Sequence, residues 1–240
     1  MAERASGAGH LPKRGGPEAG GPPPELPRQR RGTTPQMHGR YPDYDVLAEC
    51  EHWDEPTRAV VLARLRPPPL RFFDEGEAET LGAFCDVALA QDREPRVPVL
   101  QMIDAKLFEH RLEGYRHHDM PPDSQAWRQV ARMLDAAAQG LGADGFAPAS
   151  PGIRRELVER FSKGELEWEG MPVAKAWGVV MRDMLGAFYS HPWAWNEIGF
   201  GGPAYPRGFA RLGPGQREHW EAPPRFELDP VADVAERGLE

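Results

Sequence analysis

Four groups able to ligate a metal or move a proton fall within ten residues of one another: His110, His117, His118 and Asp119. Asp104 precedes them, and His191 and Glu197 follow much later in the chain. Imidazole and carboxylate donors hold a divalent metal when they converge and when further hydrogen bonds set the imidazole tautomer. Their spacing argues against convergence. His110 and Asp104 are six residues apart, which on a helix places them on different faces. His117-His118 sits where that helix is expected to end, and a histidine there has a simpler role with the helix dipole. Asp104, mid-helix among apolar neighbours, is expected to accept hydrogen bonds from a buried loop. No metal and no catalytic role is assigned to this group.

A second candidate for chemistry is Gly199-Phe200-Gly201-Gly202. Glycine-rich turns cradle phosphates when a strand leads in and a helix leads out. Here no strand precedes the glycines and Pro203 follows them, so neither a P-loop nor a dinucleotide fingerprint is present. Gly-x-Ser-x-Gly, Cys-x-x-Cys and His-Glu-x-x-His are absent as well. The chain is therefore expected to hold no cofactor of its own. The glycines are expected to supply positive φ and close approach to aromatic rings.

Those rings are the densest signal in the chain. Helical patterning stops at His191-Pro192, and Trp193, Trp195, Phe200, Tyr205 and Phe209 follow, with Arg207 among them. The stretch is rich in glycine and proline and shows neither helical nor strand periodicity. Such backbone has no ladder of its own and is expected to lie on a surface already formed. Two readings stay open: a lid on the chain's own core, or an interface, with these six residues as the partner-contact candidates.

Composition narrows the classes. The first forty residues hold seven Pro and eight Gly with almost no large apolar side chains, and are expected to be a disordered arm. Seven Lys/Arg against three Glu give that arm +4, and the net charge of −8 therefore leaves −12 on the rest. An acidic body without basic stripes argues against nucleic acid. Arg30-Arg31 is followed by a polar stretch rather than an apolar one, so it is not expected to be a twin-arginine export signal. No run approaches the roughly 18 apolar residues of a membrane span. With Cys50 and Cys85 the only cysteines, a reduced, cytoplasmic setting is expected, unless the chain is exported together with a signal-bearing partner. Cys85, on an apolar helix face, is expected in the core.

The elements that must position these groups are helical. Asp54 with Pro56 predicts a helix start, with Ala59, Val60, Leu62, Ala63 and Leu65 as its apolar face, ended by Pro67-Pro68-Pro69. Asp74 and Glu77 form a capping-box pattern ahead of Ala78, Leu81, Phe84-Cys85 and Ala88-Leu89. A third helix is predicted from Pro98 (Val99, Ile103 and Leu107 inward) and a fourth after Pro121-Pro122-Asp123 (Trp127, Val130-Ala131, Leu134, Ala138). A fifth follows Ser150-Pro151, with Ile153, Leu157 and Phe161 inward. The sixth, Pro172 to Tyr189, has the widest apolar stripe and includes Leu185. No segment alternates with period two, so the fold class is all-α, an irregular bundle of about six helices. The expected organisation is an arm over 1–40, a helical domain over 44–222 and a loose tail over 223–240.

The order of these motifs resembles the gluconate 2-dehydrogenase subunit 3 family. Arg71-Phe72-Phe73 stands before an acidic helix with Leu81 and Cys85-Asp86, followed by Val97-Pro98, Ile103-Asp104 and Tyr115-Arg116. The Lys175–Tyr189 helix, His191-Pro192, Ile198-Gly199-Phe200-Gly201-Gly202-Pro203 and Pro206-Arg207-Gly208 complete the series, from about Tyr44 to Ala222. The resemblance implies a small helical subunit without a redox centre. Its partner would be a large FAD-dependent dehydrogenase of the glucose-methanol-choline type acting on sugars, sugar acids or other alcohols, whose maturation or export it assists. Members usually begin with a twin-arginine signal, which this chain departs from. A rival reading makes His110, His117, His118 and Asp119 the centre of a stand-alone helical enzyme or metal-binding protein. A third is a purely structural helical protein.

Overall fold

The computed structural model describes residues 44–91, 96–111, 114–211, 213 and 216–222. The expected arm over 1–40 and tail over 223–240 lie outside them. Among the described residues a 3-10 turn, Val46–His52, leads into seven α-helices: α1 (Glu55–Ala63), α2 (Glu75–Ala88), α3 (Val99–Phe108), α4 (Asp123–Gly140), α5 (Pro151–Ser162), α6 (Val173–Ser190) and α7 (Pro192–Ile198). No strand occurs among the described residues, so the all-α class holds.

Local chemistry starts these helices where the residues predict. Asp54 accepts from Thr57 N ahead of α1, and Ser150 accepts from Ile153 N ahead of α5, each followed by proline in the first turn. Asp74 and Glu77 form the reciprocal capping box of α2. Beyond its cap, α1 differs from expectation. Val60 is 57 % exposed and Val61 carries the buried contact. A nine-residue helix with apolar groups on both faces does not announce which face the core takes.

The two 18-residue helices, α4 and α6, run through the middle. α4 packs on α2, α5 and α6, while α6 also meets α3, α5 and α7. The main core includes Leu81, Phe84, Ile103, Leu107, Trp127, Leu134, Phe146, Phe161, Val180 and Met184. Cys85 belongs to it, and burial pushes its thiol up, as expected of a core cysteine rather than a reactive one. Leu185, expected inward, is exposed instead. A smaller second cluster joins Val46, Leu47, Cys50, Trp53 and Val61 to Trp195.

Two buried carboxylates tie the layers together. Asp183 on α6 accepts from Trp127 Nε1 at 3.0 Å and from Lys106 Nζ at 3.0 Å, joining α4 and α3 to α6. Asp104 on α3 accepts from the main-chain N–H groups of Arg71, Phe72 and Phe73 at 2.7–3.0 Å, the role the sequence predicts for it. That clamp fixes the approach to α2. It lays Phe73 edge-on against Trp127, with ring centroids 6.3 Å apart, and holds Phe72 under the Arg128 guanidinium at 4.6 Å.

Candidate functional site

The histidine and acid group does not assemble. His110, at the end of α3 with φ 52°, and His117, His118 and Asp119 are all exposed. Asp119 pairs with Lys175 at 2.5 Å, and the hydrogen bond from that lysine holds its carboxyl below the usual range. Asp104 faces inward to its clamp, away from these side chains. Among the described residues no group of three or more His, Cys, Asp or Glu is placed to hold a metal ion.

The aromatic segment is built more firmly than its irregular composition suggests. Its first part is helical: Pro192 opens α7 and Gly199, at φ 70°, closes it in the left-handed conformation. The expectation of a tail without helix is thereby corrected. Seven residues span under two turns, too few for an apolar period to register. His191 caps α7, its Nδ1 accepting from Trp193 N at 3.2 Å. That acceptor requires the neutral imidazole, and burial lowers the His191 pKa to about 4.

α7 bridges the two apolar clusters. Trp193 and Ala194 enter the main core and Trp195 the second one. Trp195 Nε1 donates to Tyr189 O at 2.5 Å. Asn196 accepts from Val46 N at 2.7 Å, fastening α7 to the 3-10 turn. Trp193 and Trp195, two of the candidates for which lid and interface were both open, are buried against this chain's own residues. Their hydrophobic area is already removed from water.

The glycines behave as expected. A side chain on Gly201 would meet Trp220 Cε3 at 2.4 Å, and one on Gly202 would meet Trp53 Cζ2 at 2.8 Å, with Gly202 at φ +77°. Gly202→Ala should therefore destabilise the chain by about 2 kcal/mol in urea denaturation, from backbone strain and overpacking together. Gly208 provides the control, since it has φ +70° with open space around it. Gly208→Ala should lose about 1 kcal/mol, the conformational part alone. Equal losses at the two positions would show that the Trp53 contact does not matter.

Past Gly202 the chain forms a strap held by Arg207. This guanidinium donates to Glu49 Oε2 at 2.9 Å, Gly201 O at 3.0 Å and Pro203 O at 2.9 Å, and lies 4.0 Å over the Trp220 ring. Arg207, another of the candidates, thus acts as a positioning residue within its own chain. Tyr44 Oη closes the same corner by donating to Trp220 O at 3.0 Å. Three of the six candidates remain outward: Phe200 at 43 % exposure, Tyr205 at 67 % and Phe209 at 50 %, with Ile198 beside Gly199 at 44 %. The lid and the display surface are therefore the same segment, buried on one side and aromatic on the other.

Fold and site together define an all-α protein that straps a glycine-rich C-terminal segment onto its own helices. No helix among the described residues is long and apolar enough to cross a membrane. The family model for gluconate 2-dehydrogenase subunit 3 matches residues 75–202, just over half of the 240-residue chain, and the chain belongs to that family. The match begins at α2 and ends at Gly202, so α1 and the strap with Tyr205, Arg207 and Phe209 lie outside it. Neither the curated proteins nor the solved structures contain a match to this chain.

Proposed function

We propose that this chain is a non-catalytic accessory subunit of an FAD-dependent dehydrogenase, and that it contacts the large flavoprotein subunit through Phe200, Tyr205 and Phe209. Family membership supports a dehydrogenase subunit. The observation that carries the contact surface is the two-sidedness of the strap. Arg207 and Trp220 fasten its inner side, while Tyr205 and Phe209 are exposed on its outer side and Phe200 is exposed just ahead of it. Rings held in place by their own fold lose little further freedom on binding, so their burial contributes more fully to affinity. FAD, substrate specificity and the chemistry of alcohol oxidation belong, on this reading, to the partner. The chain itself supports the partner's assembly.

Co-expression with a candidate large FAD-dependent dehydrogenase subunit tests this. The double variant Tyr205→Ala/Phe209→Ala should weaken co-purification by about 2 kcal/mol, or roughly thirtyfold, with an unchanged melting temperature. Trp195→Ala should do the reverse, lowering the melting temperature while the folded fraction still binds. Undiminished binding by the double variant would remove the strap from the interface.

A further inference from the structure

A groove of about 610 Å³ lies where α1, α3 and α6 meet, on a part of the molecule to which the accessory-subunit reading assigns no role. Its size is that of a small-molecule site. Val60, Ala63, Pro67, Met102 and Ala187 make its apolar walls. Four cationic side chains also line it: Arg64, Lys106, Arg111 and Arg182. Three of them meet carboxylates, one of which, Glu109, is shared with Arg71. Lys106 reaches Asp183 at 3.0 Å, Arg182 reaches Asp123 at 3.1 Å, and Arg111 reaches Glu109 at 2.8 Å.

Arg64 stands apart. It donates to Ser190 O at 2.8 Å and its guanidinium lies 5.7 Å from the Trp195 ring centroid, but it forms no ion pair among the described residues. It is half-buried, and burial followed by the neighbouring Arg111 charge lowers its pKa, so both act against the cation. An arginine in that position has most of its fork of N–H donors left for a planar anion. The rest of the groove combines apolar walls with the Lys106–Asp183 and Arg111–Glu109 pairs, which line it too.

We propose that this groove binds an organic monocarboxylate, its carboxylate paired with Arg64 and its apolar body lying on Val60, Pro67, Met102 and Ala187. Arg64, the groove cation with no carboxylate partner among the described residues, supplies the pairing site for one carboxylate, and the apolar walls select a hydrocarbon or aromatic body over a polyhydroxylated one. The site is independent of any flavoprotein partner.

Calorimetric titration of the full chain with octanoate, and with octan-1-ol as the neutral counterpart, provides the test. Octanoate should bind saturably and octan-1-ol at least tenfold more weakly. Arg64→Gln should weaken octanoate tenfold or more. Because Arg64 also supports Trp195 and Ser190, Ala63→Glu serves as the second variant. It introduces a carboxylate at an exposed groove position, should leave the melting temperature unchanged, and should weaken octanoate by a similar factor. Equal binding of the alcohol, no saturable octanoate binding, or octanoate binding untouched by Ala63→Glu would each overturn the proposal. So would binding confined to a peptide with a free α-carboxylate and lost on its amidation, which would make the groove a docking site for a chain terminus.

Discussion

Asp104→Ala should destabilise the fold by about 4 kcal/mol in urea denaturation at neutral pH, one of the two largest effects expected of this chain. The Asp104 side chain serves three main-chain donors at once, Arg71 N, Phe72 N and Phe73 N, from a position 1 % exposed. Alanine would leave those N–H groups without their acceptor, and an orphaned buried donor costs about 1–3 kcal/mol. The damage would spread, because the same segment seats Phe73 on Trp127 and gives Arg128 its acceptor at Phe72 O. Asp104→Asn separates charge from shape. Its one carbonyl oxygen can take part of the set while its amide faces an N–H donor, so a loss of about 2 kcal/mol is expected. A loss below 1 kcal/mol for alanine would mean that the Arg71–Phe73 segment is held by its rings alone.

Asp104 was legible in the sequence because a carboxylate inside an apolar helical stripe demands buried donors, whatever the fold. Asp54, Asp74 and Ser150 were legible for a related reason: a cap is a local event, complete within four residues. The inward faces of α3, α4 and α5 followed from period alone, since each stripe is narrow. Where an apolar surface is shared by both faces, as in α1, or runs wide, as at Leu185 in α6, only the packing partner decides. The strap shows the other limit. Arg207 meets Glu49 across 158 positions of chain, and Asn196 meets Val46 across 150. No local pattern encodes those bonds, so the same six residues read equally well as lid or interface. The structure divides them: Trp193, Trp195 and Arg207 face in, and Phe200, Tyr205 and Phe209 face out.

Stability should also fall by about 3 kcal/mol as pH drops from 6.5 to 4, with His191 as the cause. Its ring is fully buried between α6 and α7, 4.8 Å from the Trp193 ring, and its Nε2 makes no well-formed hydrogen bond among the described residues. Burial is the largest influence on its pKa and lowers it to about 4; the Arg64 main chain raises it somewhat and the Arg64 charge lowers it again. The unfolded chain therefore takes up the proton first. The contribution is complete above pH 6.5, declines as pH falls below that value, and is gone near pH 4. Protonation at Nδ1 would also turn the cap of α7 from acceptor to donor, facing Trp193 N–H. Other groups act in different ranges or with the opposite sign. Glu109, paired with Arg71, and Glu159, paired with Lys163, have carboxyls held below 4.5 and lose their contribution only under more acidic conditions. Burial raises the Asp123 carboxyl despite Arg182, so acidification relieves a penalty there. His191→Asn isolates the effect, because asparagine is a good N-cap acceptor that does not titrate in this range. Denaturation curves between pH 7.5 and 4.5 should slope for the parent chain and run nearly level for the variant. Parallel curves would place the acid sensitivity elsewhere and show that a charged imidazole is accommodated beneath α7.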